Sequence, residues 1–256
     1  MEMSPAEETS SGKWLEWVSG VPHFRGKRIP ERTVRVGDRS YRVAAVKDAA
    51  DLLDDPFYAR RFVEHDVAPY GAELWPASIM LAEAIQDEAP GVGRRAIELG
   101  AGLGLVSIAA SLHGWRMTLT DHDETSLRFA RYNAFLNAAP IWALTVLDWH
   151  RPSIVARFDR VYAADVLYQI SDHDSLLRCV RSLLSQDGFA LIADPGRGVA
   201  DHFDQRARDA GFDIKQHAAE APNQLGEMVK GRIFRLRVRR CSVGRVPEDD
   251  SGHSHC

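Results

Sequence analysis

The chain has 256 residues, 45% of them apolar and 27% charged, with a formal net charge of -4. That is enough for one large domain with an appendage, and it excludes a strong electrostatic draw toward nucleic acid or anionic membrane. The acidic, Ser-rich start MEMSPAEETSSGK lacks a signal-peptide pattern, and no apolar run approaches the roughly 18 to 20 residues that span a bilayer, so a cytoplasmic protein is expected. Cys179, Cys241 and Cys256 are too widely spaced for a disulfide framework or a zinc knuckle, and no metal site is expected.

Residues 1–25 show no clean periodicity and are expected to be a flexible N-terminus, with Trp14 and Trp17 on a short helix that docks onto the body. Residues 26–66 form an extension. RTVRVGDRSYRVAAV alternates apolar and polar residues around a Gly-Asp pair, which predicts a β-hairpin, and Pro56 divides DAADLLDDPFYARRFVEH into two short helices. WPASIMLAEAIQ begins a helix with Pro76 in its first turn.

From there to residue 240 the pattern is regular. The apolar runs RAIELG, WRMTLTD, WALTVLD, FDRVYAAD and FALIAD alternate with helical stretches near 103–113, 123–137, 171–185 and 199–210. Continuous apolar strands alternating with helices predict an α/β fold: an open, Rossmann-like, doubly wound and mostly parallel sheet. FDIKQH and GRIFRLRVRR add an antiparallel pair at the sheet edge, the arginines of the last strand lining a solvated face, and 241–256 read as a disordered tail.

In such a sheet, ligands bind beyond the carboxyl ends of the strands. IELGAGLG ends the first parallel strand there. Gly100 and Gly102 let a ligand approach bare main chain, and a helix N-terminus follows. The spacing departs from the dinucleotide fingerprint, with Leu105 at the third dinucleotide glycine, and Glu98 would repel a pyrophosphate. Asp121, nineteen residues after Gly102 at the end of the second strand, suits two ribose hydroxyls. A nucleoside with a charged, phosphate-free tail fits these residues, and S-adenosylmethionine fits best.

Over roughly residues 67–240 the chain resembles the class I, seven-strand methyltransferases, and more narrowly lysine methyltransferase family 16. The resemblance rests on ELWPASIMLAEAI, ELGAGLGLVSIAA, LTDHD, LDWH and AADVLYQ. IADPGRG is similar to the Asp-Pro-Gly-Arg element of the methyltransferases of the electron transfer flavoprotein β subunit, whose bacterial relatives are labelled nicotinamide N-methyltransferase-like. Trp75-Pro76-Ala77-Ser78 is more like the wider family, and Gln169 stands where relatives often carry an acidic residue.

The resemblance implies roles. Glu98 would hold the cofactor's amino group, Gly100 and Gly102 would run beneath its methionine part, and Asp121 would take the ribose. Asp148 would accept from the adenine amino group, with Trp149 or Trp75 packed on the ring or ribose. Asp165 and Tyr168 would be the catalytic pair, Asp165 lying where the methyl group sits, and Asp194 and Arg197 would shape the substrate mouth. Ser171 and Asp172 would cap the following helix, leaving Asp165 free for function. The implied activity is methylation of a lysine in a protein substrate by a monomer or weak dimer, without nucleic acid or membrane. A small-molecule N- or O-methyltransferase and a non-catalytic cofactor-binding module are the alternatives.

Overall fold

A computed structural model describes residues 15–65 and 70–239; the expectations for Trp14 and for the tail from residue 241 lie outside them. The chain opens with a three-stranded antiparallel ribbon, β1 Leu15–Val18, β2 Val21–Phe24 and β3 Lys27–Arg28. Its turns, Ser19-Gly20 and Arg25-Gly26, hold positive φ at both residues, the geometry that matches strand twist in two-residue hairpins. Trp17 is therefore on a strand and not on the expected helix. It does dock: its ring meets Phe129 edge-on at 5.3 Å.

The expected hairpin is present as β4 Glu31–Val36 and β5 Arg39–Ala44, closed by Gly37-Asp38 with Val36 opposite Arg39. Alternation buries Val34, Val36, Tyr41 and Val43 on one face. A 3₁₀ turn, Ala49–Asp54, is capped by the Asp48 side chain, and Pro56 then opens helix α1, Pro56–His65, as predicted. A further turn, Tyr70–Ala72, leads to α2, Pro76–Gln86.

The main sheet comprises β6 Arg95–Leu99, β7 Arg116–Asp121, β8 Ile141–Val146, β9 Phe158–Ala164, β10 Leu184–Asp194, β11 Phe212–Pro222 and β12 Met228–Val238, in the order β11-β12-β10-β9-β6-β7-β8. The first five strands run parallel; β12 runs against both β10 and β11. Helices α3 Leu105–Leu112, α4 Glu124–Leu136, α5 His173–Leu183 and α6 Phe203–Asp209 supply the crossovers, whereas the link from β8 to β9 carries no helix.

Two apolar clusters fill the two faces of the sheet. The N-terminal hairpin belongs to the first, sharing it with α2, α3 and α4. Asn133 of α4, fully buried, fixes this union: its Oδ1 accepts from the Ala44 N–H at 2.8 Å while its Nδ2 donates to the carbonyls of Ala44 and Leu103. One amide thus joins the extension to the glycine loop. The chain path reverses between β6 and β9, so a crevice opens beyond their carboxyl ends. Among the described residues no helix is long and apolar enough to cross a membrane.

Candidate functional site

The crevice has two halves, and the first gathers the ends of β6 and β7. Glu98, 1% exposed, is not a surface carboxylate: the Ser107 N–H and hydroxyl of α3 both donate to its Oε2. Burial nevertheless pushes its pKa up to about 8, with the Asp121 charge adding to the rise and the Ser107 bonds opposing it. Asp121, also buried, accepts the Gly102 N–H at 2.9 Å on one oxygen and the Asp123 N–H at 2.9 Å on the other. Its pKa is raised as well, burial outweighing His122 and the two amides. The glycine loop and the strand-end carboxylate, nineteen residues apart, are thus one hydrogen-bonded unit.

Gly100 and Gly102 hold φ of +71° and +50°, which L side chains rarely adopt. A Cβ on Gly100 would lie 3.0 Å from Val166 and 3.7 Å from the Trp149 ring; one on Gly102 would lie 3.3 Å from the Gly71 carbonyl oxygen. Trp149 therefore reaches the loop, with Asp148 on the exposed rim beside it, its Oδ1 accepting the His150 N–H at 2.8 Å. The turn at Tyr70–Ala72 roofs the other side.

Between them lies a cavity of about 40 Å³ lined by Glu73, Glu98, Trp75, Ser78 and the main chain from Gly100 to Leu105. No basic side chain lines it, only acidic groups and the glycine loop, so a phosphate-free group suits it and a pyrophosphate would find no cation there. The residues present fit S-adenosylmethionine in this respect.

The second half gathers the ends of β9 and β10. Asp165 stands at φ +57°, a left-handed conformation uncommon outside glycine, anchored by its N–H to the Ala193 carbonyl. Its Oδ1 accepts from Arg197 Nε at 2.7 Å, while its Oδ2 is buried without a partner. Asp194, fully buried, holds the loop that carries Arg197: its Oδ1 accepts from the N–H groups of Gly196 and Arg197 and from Arg232 Nε, and its Oδ2 is also unpartnered. Burial raises the Asp194 pKa against the pull of Arg232, whereas the Asp165 bond raises that of Arg197.

Tyr168 is half-buried, and burial with nearby Asp172, Asp121 and Asp165 pushes its pKa up to about 12. Its ring meets Tyr70 edge-on at 6.4 Å, Tyr70 meets Trp75 at 6.0 Å, and the Arg197 guanidinium lies 5.6 Å over Trp75. Of the two tryptophans expected near the adenine, Trp149 lies beside Gly100, whereas Trp75 lines the glycine-loop cavity and also meets Arg197. Of the expected helix caps, neither holds: Asp172 occupies the cap position of α5 without a side-chain cap bond, and Ser171 donates to Asp172 at 3.1 Å.

Sequence reasoning missed Tyr70, Ser107 and Arg232. Ser107 had a signal, a hydroxyl inside an otherwise apolar helix following a strand-end glutamate. Tyr70 and Arg232 reach the crevice only through the tertiary fold.

The profile of a family described as lysine methyltransferase matches residues 61–205. Protein-lysine N-methyltransferase rrg1 of Schizosaccharomyces pombe is 25% identical over 246 residues, covering 88% of this chain and 79% of that protein. Protein N-lysine methyltransferase METTL21A of Xenopus tropicalis is 28% identical over 194 residues, covering 70% and 87%. EEF1A lysine methyltransferase 3 of Mus musculus is 30% identical over 184 residues, covering 69% and 76%. Among solved structures, ribosomal protein L11 methylase of Lactobacillus delbrueckii subsp. bulgaricus superposes with a TM-score of 0.50 at 19% identity over 64% of this chain and 79% of that one, a likeness of fold.

Proposed function

Because the chain belongs to the lysine methyltransferase family, we propose that it transfers methyl groups from S-adenosylmethionine to the side-chain amine of a lysine in a protein. Family and fold make it an S-adenosylmethionine-dependent methyltransferase. The observation that carries the lysine reading is Asp165: one oxygen is held by Arg197, the other is buried and unpartnered, and its charge acts on Tyr168, whose ring meets Tyr70.

In this reading Glu98 faces the cofactor's amino group, Gly100 and Gly102 pass beneath its methionine part, and Asp121 accepts from the ribose. Asp148 and Trp149 serve the adenine. Trp75, expected beside the cofactor, serves the acceptor side as well. The cofactor, when bound, supplies an electrophilic methyl group, and the acceptor amine must arrive neutral and in line with it. A free lysine near pH 7.4 is neutral about once in a thousand, a cost of around 4 kcal/mol.

Oδ2 of Asp165 accepts an N–H of the amine and fixes its direction. Tyr70, Trp75 and Tyr168 would exclude water and offer aromatic surface to a methylated, cationic amine. With a pKa near 12, Tyr168 stays a phenol at neutral pH and orients the amine without taking its proton. Asp194 and Arg197 hold the mouth.

The test is transfer of labelled methyl from S-adenosylmethionine into a cell lysate, with mass spectrometry of the labelled product and Asp165→Asn as control. Methyl-lysine in a protein, absent with the variant, is the expected result. Label confined to small molecules would overturn the lysine reading.

A further inference from the structure

The arginines of the last strand, expected to line a solvated face, do more than that. Arg160 of β9 is the partner of Phe189 in the parallel pair, and Arg235 of β12 is the partner of both Leu191 and Lys215. Arg237 follows Arg235 by two, so Arg160, Phe189, Arg235, Arg237 and Lys215 share one face of the sheet. It is the face that α2 covers: Phe189 and Leu191 belong to the same apolar cluster, and Glu88, just past the end of α2, pairs with Arg160.

Phe189 is buried beneath guanidinium groups. The central carbon of Arg160 lies 3.4 Å from the ring centroid and that of Arg235 3.7 Å, too close for both to share one side, so they sandwich the ring. Arg237 stands at 5.4 Å.

Arg160 is neutralised and engaged: its Nε donates to Glu88 at 2.9 Å and its Nη1 to the Asp159 carbonyl at 2.8 Å. Among the described residues the side chains of Arg235, Arg237 and Lys215 have neither a carboxylate nor a hydrogen-bond acceptor, and Asp213, opposite Arg237, pairs with Arg239 instead. Burial and the charges of Arg237 and Arg160 lower the Arg235 pKa against the opposing pull of Glu88. Arg235 is half-buried, while Arg237 and Lys215 are exposed, so the group is open to a ligand.

We propose that Arg235, Arg237 and Lys215 form an oxyanion site that takes a phosphate monoester. Charge and shape select that group. Three unneutralised cations beside one ring call for a compact ligand of charge about -2, which a phosphate monoester carries and a carboxylate does not. Guanidinium forks bind its oxygens side-on, and the lysine adds a point charge. The site stands apart from the crevice, since Asp165 lies five residues beyond Arg160, about 16 Å along the strand direction. A phosphoserine of a protein partner and a free phosphorylated molecule present the same group.

Calorimetric titration of the full chain with inorganic phosphate, with a phosphoserine peptide and with the same peptide unphosphorylated tests this. Inorganic phosphate is expected to bind with a dissociation constant of about millimolar order or tighter, undisturbed by S-adenosylhomocysteine. Arg235→Gln should weaken it at least about tenfold. Lys215→Glu, at an exposed position that leaves the core intact, should weaken it as well, and both variants should keep their S-adenosylhomocysteine affinity. Tighter binding of the phosphopeptide than of phosphate, with none of its unphosphorylated form, would assign the group to a protein partner, and equal or weaker binding to a free phosphorylated molecule. No binding of either phosphorylated probe, an affinity untouched by both substitutions, or displacement by S-adenosylhomocysteine would each overturn the proposal.

Discussion

The two halves of the crevice hold their carboxylates in different ways. Glu98 and Asp121 are gripped by neighbouring main-chain N–H groups and one hydroxyl, all within the glycine loop, its helix and the turn after β7. Asp165 is gripped by the Arg197 side chain and Asp194 by two main-chain N–H groups together with the Arg232 side chain, and each keeps a buried oxygen without a partner. Main-chain donors cannot be moved without moving the fold, whereas arginine side chains can rearrange. The first half suits an invariant cofactor; the second keeps acceptor capacity for a group that comes and goes.

The sharpest way to break this contrast is Asp165→Asn. Methyl transfer should fall about 100-fold or more through loss of the oriented acceptor. The affinity for S-adenosylhomocysteine, measured by calorimetry, should stay within a few fold. Equal losses in both would mean that the halves are not separable.

Asp121→Ala attacks the other half. Losing charge-assisted hydrogen bonds of about 1.5 to 3 kcal/mol should weaken cofactor binding roughly 10- to 150-fold, and unchanged affinity would remove Asp121 from the ribose site.

The smallest effect is a pH dependence. The folded pKa of Glu98, about 8, lies above its ordinary value of 4.5, so the ligand-free fold takes up a proton that the unfolded chain releases. Its stabilising contribution is complete below pH about 4.5 and is lost as pH rises to about 8. Melting temperature of the ligand-free protein should decline over that window, and Glu98→Gln should flatten the decline. Asp121 shifts in the same direction, so some slope should remain. A wild-type profile that rises with pH would contradict the buried, protonated Glu98.

Much of this was legible in the sequence. The strand-helix alternation shows as unbroken apolar runs because strands covered on both faces need them, and Gly102 with Asp121 shows because bare backbone and a carboxylate are each demanded by position. The ribbon of β1 to β3 was not legible. Its strands are too short for alternation to show, and its turns use Ser-Gly and Arg-Gly in place of the usual Asn-Gly or Asp-Gly. Nor could the sequence show which carboxylate oxygens lack partners. Asp165 and Asp121 look alike as strand-end aspartates; only the fold brings amides to one and an arginine to the other.

The Asn133 amide also bears on how the chain reaches this state. The hairpin of β4 and β5 leaves the ribosome early, with Val34, Val36, Tyr41 and Val43 on one face, yet its side-chain anchor lies 89 residues beyond Ala44. Until α4 has been synthesised, that apolar face has only α2 and α3 to cover it and lacks the Asn133 bonds to Ala44. Contacts so distant in sequence slow folding, and they leave a nascent chain with a sticky N-terminal hairpin for several seconds of synthesis at about 5 to 20 residues per second.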